Sequence, residues 1–496
     1  MQTLEEARQA LERIPSLQVS RNEPLRLHTR FRLGGPARVF VSTSEEAALV
    51  EALRLLEASG LPWIVIGLGT NLLVADGGYQ GVVVRYEGAR LARDGDTIFA
   101  EAGAPLQRLV DFSIQQSLAG MESMTGIPGN VGAAIYGNAG AYGTSISDRV
   151  VSVRYFDGSQ VREASREECE FRYRDSVFKR SRQAGAPRII LSAVLQFRPG
   201  DQSQLSARAA EILALRNAKY PEQMMCAGSI FKNLIFSELP AAAQTSVPPG
   251  LVKGGKVPSA WFLEQAGTKG LSVGGLHVAE YHANLIYHDG GGTASQAVAL
   301  IADLKERVRD LHGIELEEEV QFLGFKERLP GVDHLSTTPH IVQGLVAGLS
   351  AEDLRWKPGA ARWSIAEVLA HLTHCERVCF AARMKAMVET DDPLVEAYDV
   401  NSLEKKGAYQ TRFALAALED FLKARHESLA YLETLPLSAV ERTARHPQLG
   451  AIRLGDMLNE WAFHDLGHIR QIAEIVRAVK YYPAMGPFRD QYIIQP

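Results

Sequence analysis

The sequence predicts an α+β region followed by an all-α bundle, and three observations divide it. Glycine is unevenly spread: most of the 43 glycines fall between Gly34 and Gly324, clustered at Gly67/Gly69, Gly126/Gly129/Gly132, Gly274/Gly275 and Gly290–Gly292, and they thin after Gly331. Before that point, apolar runs of strand length mix with helical stretches and turn-rich connections. Beyond it, four amphipathic segments follow one another at helical spacing, the pattern of a four-helix bundle. At roughly 100–200 residues per domain, a chain of 496 residues makes about three domains.

The elements follow in order. The opening MQTLEEARQALERIPSL is an acidic and basic amphipathic pattern without the apolar centre of a signal peptide. Glu45–Ser59 reads as a helix, LPWIVIGLG as a buried strand ending in a glycine turn, and GVVVRY as a second strand. Leu106–Gln116 is helical, VVSVRYF and RIILSAVLQF are strands, and Ser203–Lys219 and Ser295–Leu311 are helices. Pro, Gly and Thr then interrupt both periodicities over Lys326–His340, which predicts a linker. The four helical blocks are Ser336–Gly348, Ser364–Thr390, Thr411–Thr434 and Leu454–Val476. No internal repeat or low-complexity tract is visible.

Composition excludes several classes. With 22% charged and 46% hydrophobic residues and a formal net charge of -5, the chain is neither disordered nor a dedicated nucleic-acid binder, though a local basic patch can hide in that average. Four cysteines (Cys169, Cys226, Cys375, Cys379) form no disulfide scaffold and no CxxC pair. No apolar run approaches the ~18–20 residues of a membrane span. The expected setting is cytoplasmic.

Two glycine-rich segments carry the first functional signal. Ile66–Arg85, IGLGTNLLVADGGYQGVVVR, offers backbone N–H groups for close approach to a pyrophosphate, although an isolated GxG is as readily a tight turn without ligand. Gly126–Gly143, GIPGNVGAAIYGNAGAYG, adds a second backbone surface for an extended ligand; Tyr136 and Tyr142 within it read as packing aromatics. With HTRFRLGGPA (His28–Ala37), YRDSVFK (Tyr173–Lys179), AGSIFKN (Ala227–Asn233) and LEEEVQFLG (Leu316–Gly324), six ordered motifs span about residues 20–325. Together they resemble the MurB-type flavoenzymes, the UDP-N-acetylenolpyruvoylglucosamine reductases of peptidoglycan precursor synthesis.

That resemblance implies an FAD-binding fold of the vanillyl-alcohol-oxidase type. Its two FAD-binding subdomains fall at 1–85 and 86–200, with an α+β substrate subdomain at 201–325. It implies NADPH as cosubstrate and UDP-N-acetylglucosamine enolpyruvate as the small-molecule substrate; oligomeric state is left open. FAD contacts fall on Gly67, Gly69, Thr70, Asn71, Gly126, Gly129, Asn130, Gly132, Ala139 and Gly140. Adding a hydride beside a carboxylate calls for a cation, a proton donor and a polarising group. The motif positions supply Arg174 for the carboxylate and developing enolate, Ser229 as proton donor, and Glu319 to stabilise the enol form or assist protonation. On spacing alone Arg174 reads as a surface ion-pair residue, Ser229 as a turn or cap serine, and Glu319 as one of the solvated acidic run Glu315, Glu317, Glu318, Glu319. Lys219, Lys232, Asn233 and His282, with Asn284 beside it, are candidate substrate contacts; Lys232 is equally a plain surface lysine. Thr70, Asn130, Ala133, Leu234 and Glu318 depart from the family pattern without removing a reacting group. No Tyr-Gly-Asp loop follows Phe197, which implies the subclass with the more open substrate site. Another FAD-dependent oxidoreductase of the same superfamily is the alternative.

The tail carries RWSIAEVLAHLTHCE (Arg362–Glu376) and NEWAFHDLGHIRQIAE (Asn459–Glu474). His464 and His468, four apart, share one helix face, and His371 on another helix completes a possible three-histidine site. WS-x-x-EVLAHL followed by H-D-x-x-H-x-x-Q resembles the DinB-like metal-binding bundles over about residues 335–490, with the bundle unit set at 341–496. The resemblance implies a divalent ion, zinc or nickel, on His371, His464 and His468. Cys375, one turn beyond His371, is either an extra ligand or a buried core thiol. The tail's activity stays open between a thiol-dependent transferase and a metal- or thiol-sensing regulatory module.

Overall fold

In a computed structural model, residues 3–221, 223–325, 329–397, 409–410 and 413–492 are described. The chain divides into two compact units, Met1–Phe325 and Lys326–Pro496.

The first unit opens with helix α1 (Leu4–Leu11), strands β1 (Gln18–Pro24) and β2 (Pro36–Thr43), helix α2 (Glu46–Ser59), and strands β3 (Trp63–Ile66), β4 (Leu72–Val74) and β5 (Tyr79–Tyr86). They form a sheet in the order β1-β2-β5-β3, with β1 antiparallel to β2 and the other pairs parallel. Parallel strands need a crossover, and α2 supplies it between β2 and β3. Its Leu49, Leu53 and Leu56 are buried with Val39, Val41, Val82 and Val84 of the strands, so one continuous core forms beneath the sheet.

A second sheet follows from β6 (Leu91–Asp94) and β7 (Thr97–Glu101), helices α3 (Leu106–Gln115) and α4 (Val131–Tyr136), strands β8 (Val150–Phe156) and β9 (Val161–Ser165), helix α5 (Val177–Gln183) and strand β10 (Ile189–Gln196). Its order is β9-β8-β10-β7-β6, antiparallel throughout. The long helix α6 (Gln202–Lys219) then leads into a third sheet: β11 (Met225–Ser229), β12 (Ser272–Val273), β13 (Leu276–Ala279) and β14 (His282–His288), in the order β11-β14-β13-β12. Helix α7 (Ala294–His312) packs on it, starting at a Thr293/Gln296 capping box and ending at the left-handed Gly313. Asp76 accepts the N–H groups of Ala294 and Ser295 at 2.8 and 2.9 Å, which ties this helix start to the first subdomain. Finally β15 (Gln321–Leu323) pairs in parallel with β4, returning the end of the unit to the first glycine loop.

The second unit contains α8 (Val332–Val346), the short α9 (Ala351–Arg355), α10 (Ile365–His374), α11 (Ala382–Glu389), α12 (Ala414–Leu432), a hairpin of β16 (Thr443–His446) and β17 (Gly450–Arg453), and α13 (Leu454–Val476). Helix α10 packs on α12, and α8 on α13. A π-type turn over Cys375–Ala381 joins α10 to α11, so the block read as Ser364–Thr390 is one interrupted helix. Thr411 and Arg412, the expected start of α12, lie outside the described residues.

The linker expected over Lys326–His340 is corrected by the structure. Residues 326–328 lie outside the described residues, but Val332–Val346 is helix with Pro339 inside it. Proline carries no N–H for the carbonyl four residues back, which is why it reads as a breaker. Here that carbonyl, Leu335 O, accepts the Arg425 guanidinium at 2.8 Å, so the gap is filled from a neighbouring helix. Among the described residues, no helix is long and apolar enough to cross a membrane.

Candidate active site and metal centre

A cavity of about 1090 Å³ in the first unit is lined by both glycine loops, by the turn before α5, by the end of α6, and by β11, β14 and the approach to β15. Its first wall is the 67–71 loop. Gly69 sits at φ +61°, and a Cβ there would stand 2.0 Å from the His28 carbonyl oxygen, so only glycine fits. Gly67 abuts the second loop: a Cβ would lie 2.7 Å from Asn130 Oδ1. That oxygen accepts the Ala133 N–H at 3.0 Å and caps α4, the work a family Ser or Thr would do. Thr70 Oγ1 donates to Pro128 O at 3.3 Å, closing the two loops on each other.

Gly67, Gly69, Thr70, Asn71, Gly129, Asn130, Gly132, Ala139 and Gly140 all line this cavity. Gly126 does not; at φ +74° it faces α6, where a Cβ would meet Arg216 Cδ at 3.2 Å. The residues present fit an extended dinucleotide such as FAD: two backbone-rich loops in contact, one cavity of sufficient volume, and cationic side chains on its far wall. Of the two loop tyrosines, Tyr136 and Tyr142 both line the space, and Tyr142 is half exposed at φ +51°.

Arg174 reaches the cavity from a left-handed backbone position, φ +55°, a conformation costing a bulky residue roughly 1–3 kcal/mol. The surroundings hold it there. Lys179 Nζ donates to Arg174 O at 3.2 Å, Asn138 Nδ2 to Arg172 O at 2.8 Å, and Arg174 Nη1 to Gly140 O at 3.1 Å. Arg174 Nε lies 2.7 Å from Glu319 Oε1, an ion pair by distance, although no hydrogen bond is aligned on that nitrogen among the described residues. Glu319 is fixed by its backbone: Asn71 Nδ2 donates to Glu319 O at 2.8 Å, and Gln321 N to Asn71 O at 2.9 Å. Burial pushes the Glu319 carboxyl above its usual range, against the opposing pull of Arg174, Lys179, Lys232 and Lys219. Burial likewise lowers Lys179, helped by the charge of Lys232.

Ser229 lines the same space at the end of β11, and its Oγ meets Tyr220 Oη at 3.1 Å. Lys219, Asn233 and His282 also line it. His282 is held neutral by burial and by Lys219, its pKa pushed down to about 4, and its Nδ1 accepts the Asn284 N–H at 3.2 Å. Lys232 differs from the substrate contact expected of it: its ammonium is ion-paired with Glu317, outside the cavity lining. Asn284 lines the cavity as well, and both its amide atoms bond the Phe231 backbone at 2.8 Å. Glu318, a departure from the family pattern, pairs with Lys305 at 2.8 Å.

Sequence reasoning missed the rest of the cationic wall and its aromatics. Arg30, Arg216, Lys253, Lys256, Tyr173 and Tyr220 all line the cavity, with Lys256 Nζ 4.3 Å from the Tyr173 ring centre. Arg30 and Tyr173 lie within the quoted motifs HTRFRLGGPA and YRDSVFK, which could have pointed to them; the other four are ordinary basic or aromatic residues until the fold brings them in.

In the second unit, ligand atoms of His371, His464 and His468 lie within 4.8 Å of one another, with His371 Nε2 and His464 Nε2 3.1 Å apart. Two of the rings have an oriented neighbour: Tyr409 Oη lies 3.4 Å from His371 Nδ1, and Gln471 Oε1 lies 3.0 Å from His468 Nδ1. Such partners fix which nitrogen faces an ion. Burial keeps His371 and His468 neutral, with pKa values pushed down to about 2 and about 4, and His464 Nδ1 is buried without an aligned partner among the described residues. Three imidazoles converging in this way fit a divalent cation. Cys375 Sγ stands 3.5 Å from His371 Nε2 and is buried. Behind the site, the buried Arg425 pairs with Glu376 at 2.8 Å and Asp465 at 2.7 Å.

Comparison with known proteins gives three family matches. Residues 36–160 match an FAD binding domain, residues 220–323 match the UDP-N-acetylenolpyruvoylglucosamine reductase C-terminal domain, and residues 334–472 match the DinB superfamily. A UDP-N-acetylenolpyruvoylglucosamine reductase of Solibacter usitatus is 51% identical over 311 residues, covering 63% of this chain and 98% of the relative. Its counterpart in Heliobacterium modesticaldum is 36% identical, covering 61% and 90%. The solved reductase of Thermus caldophilus is 26% identical with a TM-score of 0.49, covering 62% of this chain and 98% of that one.

Proposed function

The chain belongs to the UDP-N-acetylenolpyruvoylglucosamine reductase family, and from that premise we propose an NADPH-dependent reduction of UDP-N-acetylglucosamine enolpyruvate to UDP-N-acetylmuramate, carried by Arg174, Ser229 and Glu319. The observation that carries the reading is convergence: three side chains from distant parts of the sequence line the cavity that the two glycine loops form. Held by the two glycine loops, through Gly67, Gly69, Thr70 and Gly129 among others, FAD would supply the hydride chemistry that links NADPH to the enolpyruvyl ether.

The protein's part is orientation, charge and one proton. Arg174, already committed to Glu319 and Gly140, presents its remaining N–H groups to a substrate carboxylate and to the enolate-like charge that grows beside it. Glu319, its carboxyl raised above the usual range by burial and held beside Arg174, is placed to stabilise the enol form or assist protonation. Ser229 Oγ–H gives its proton to the carbon bearing the carboxylate, completing the lactyl ether. Lys219, Asn233 and neutral His282 line the side of the cavity where a sugar nucleotide would extend. Residues 1–85 and 86–200 hold the flavin and 201–325 the substrate in this reading, which we place in the cytoplasm, a setting compatible with cysteines that form no disulfide among the described residues.

For the second unit, the reading is a divalent cation, zinc or nickel, on His371, His464 and His468. Such an ion supplies Lewis-acid or structural chemistry, and the surrounding Tyr409 and Gln471 hold the imidazoles for it.

The test is spectral. Purified protein should be yellow, NADPH should bleach it without oxygen, and UDP-N-acetylglucosamine enolpyruvate should then restore the oxidised spectrum. Ser229→Ala should keep the bleaching and slow the restoration by about 10²–10⁴-fold. Failure of the substrate to restore the spectrum rejects the reaction; equal loss of both half-reactions rejects Ser229 as proton donor.

A further inference from the structure

We propose that Tyr220 is a positioning residue for Ser229: its phenol orients the serine hydroxyl and reloads it with a proton as the serine gives its own away. The proposal rests on the reading of Ser229 as proton donor.

Ser229 Oγ is held at 3.1 Å from Tyr220 Oη, and both residues line the cavity. Either oxygen can donate in that pair, but a phenol is much the stronger acid. The favoured arrangement has Tyr220 Oη–H donating to Ser229 Oγ, which leaves the serine O–H free to point into the cavity. A serine that surrenders its proton unaided becomes an alkoxide, far too basic to form easily at a half-buried site. With the phenol behind it, the charge lands on a phenolate instead.

The surroundings suit that charge. Tyr220 closes α6, its N–H bonded to Arg216 O at 2.7 Å, and the following Pro221 cannot extend the helix. This puts two cations of the last turn beside the ring: Lys219 Nζ lies 5.0 Å and Arg216 Cζ 5.8 Å from its centre. Arg216 Nε is buried without an aligned hydrogen-bond partner among the described residues, so its charge is not already spent there. Arg30 reaches the same turn through Pro221 O at 3.4 Å. Tyr281 Oη, donating to Lys219 O at 2.9 Å, pins the turn from the β13–β14 connection.

The bookkeeping of bonds closes. As hydride adds to the methylene carbon, Ser229 Oγ–H breaks and a C–H forms at the carbon bearing the carboxylate. Tyr220 Oη–H breaks in the same event and Ser229 Oγ–H is remade. The phenolate then takes a proton from water, and the net uptake is one hydride and one proton.

The test compares flavin reoxidation by substrate in the holoenzyme, Tyr220→Phe and Ser229→Ala, in mixtures of light and heavy water. Wild type should show a strongly curved proton inventory, because two protons move together with a hydride that itself exchanges with solvent on reduced flavin. Tyr220→Phe should reoxidise about 10- to 100-fold more slowly with a less curved inventory that lacks one proton's contribution, while flavin content, substrate affinity by calorimetry and bleaching by NADPH stay unchanged. An unchanged rate in Tyr220→Phe overturns the proposal. So does a slowed rate that keeps the wild-type curvature, which marks a packing role. Full activity in Ser229→Ala is a different result: it overturns the proton-donor reading on which the proposal stands.

Discussion

Arg174 Nε and Glu319 Oε1 stand 2.7 Å apart, although one lies on a left-handed turn before α5 and the other at the approach to the last strand of the first unit. The pairing of β15 with β4 delivers the carboxylate, and Lys179 and Asn138 hold the turn that delivers the guanidinium. The fork shape matters, because Nε faces Glu319 while Nη1 donates to Gly140 O at 3.1 Å. Lysine keeps the charge but lacks the planar fork that meets both partners in fixed geometry. Arg174→Lys is therefore expected to slow flavin reoxidation by substrate about 10²- to 10³-fold and to leave bleaching by NADPH within about twofold. Stopped-flow absorbance separates the two steps; equal slowing of both would place Arg174 in the flavin site rather than at the substrate.

His282 gives the first unit an acid-side weakness. Its ordinary pKa is 6.5 and burial lowers it to about 4, with Nδ1 already accepting the Asn284 N–H. Between those values the unfolded chain takes up a proton that the folded chain refuses. The contribution is thus whole above about pH 6.5 and lost as pH falls towards about 4. His282→Asn, which stays neutral, should flatten the decline of the flavin-release midpoint over that window in a thermal ramp. Flavin release reports this unit and not the bundle. A slope identical to wild type would show that other groups set it.

The proposed metal site should depend on a residue outside its ligand set, though less than on a ligand itself. Gln471 Oε1 accepts from His468 Nδ1 at 3.0 Å, which leaves Nε2 as the free donor nitrogen. Gln471→Leu should weaken metal affinity by about 10–100-fold without abolishing binding. His464→Ala should abolish it, since its Nε2 lies 3.1 Å from His371 Nε2 at the centre of the cluster. Metal content by mass spectrometry after dialysis against graded chelator orders the variants. Both should leave the reductase half-reactions unaltered; a changed reoxidation rate would mean the two units communicate.

What could be read from the sequence follows from how local each signal is. The span Leu454–Val476 was legible to the residue, because a stripe of apolar residues at helical spacing is written within the element itself. The glycine loops were legible because left-handed turns and close approaches admit few alternatives, and Gly69 has none. Glu319 stood in an acidic run whose members differ only in what lies across from them; Lys232 took Glu317 and Lys305 took Glu318. Tyr220 carried no mark, since its one telling contact is with a serine brought close by the β11 strand. Arg425, Glu376 and Asp465 meet only when the helices of the second unit pack, and all three are buried.

That buried triad explains the misread linker and supports the sharpest prediction. Pro339 leaves Leu335 O without its helical N–H, and Arg425 Nη1 donates to that oxygen at 2.8 Å while also pairing with Glu376 and Asp465. Trp461 Nε1 adds a bond to Glu376 Oε2 at 3.2 Å, so the acid is tied to three helices through one guanidinium and one indole. Arg425→Met removes the shared donor and leaves two buried carboxylates facing each other, at an expected cost of about 3–5 kcal/mol to the second unit. Pro339→Ala restores an N–H to Leu335 O. In the wild-type background it should change stability little, because that oxygen is already satisfied. In the Arg425→Met background it should return about 1 kcal/mol, the worth of one buried carbonyl regaining its partner. Calorimetry of the four proteins closes the cycle, and a coupling of zero between the two sites would mean that the helix carries its proline without help from Arg425.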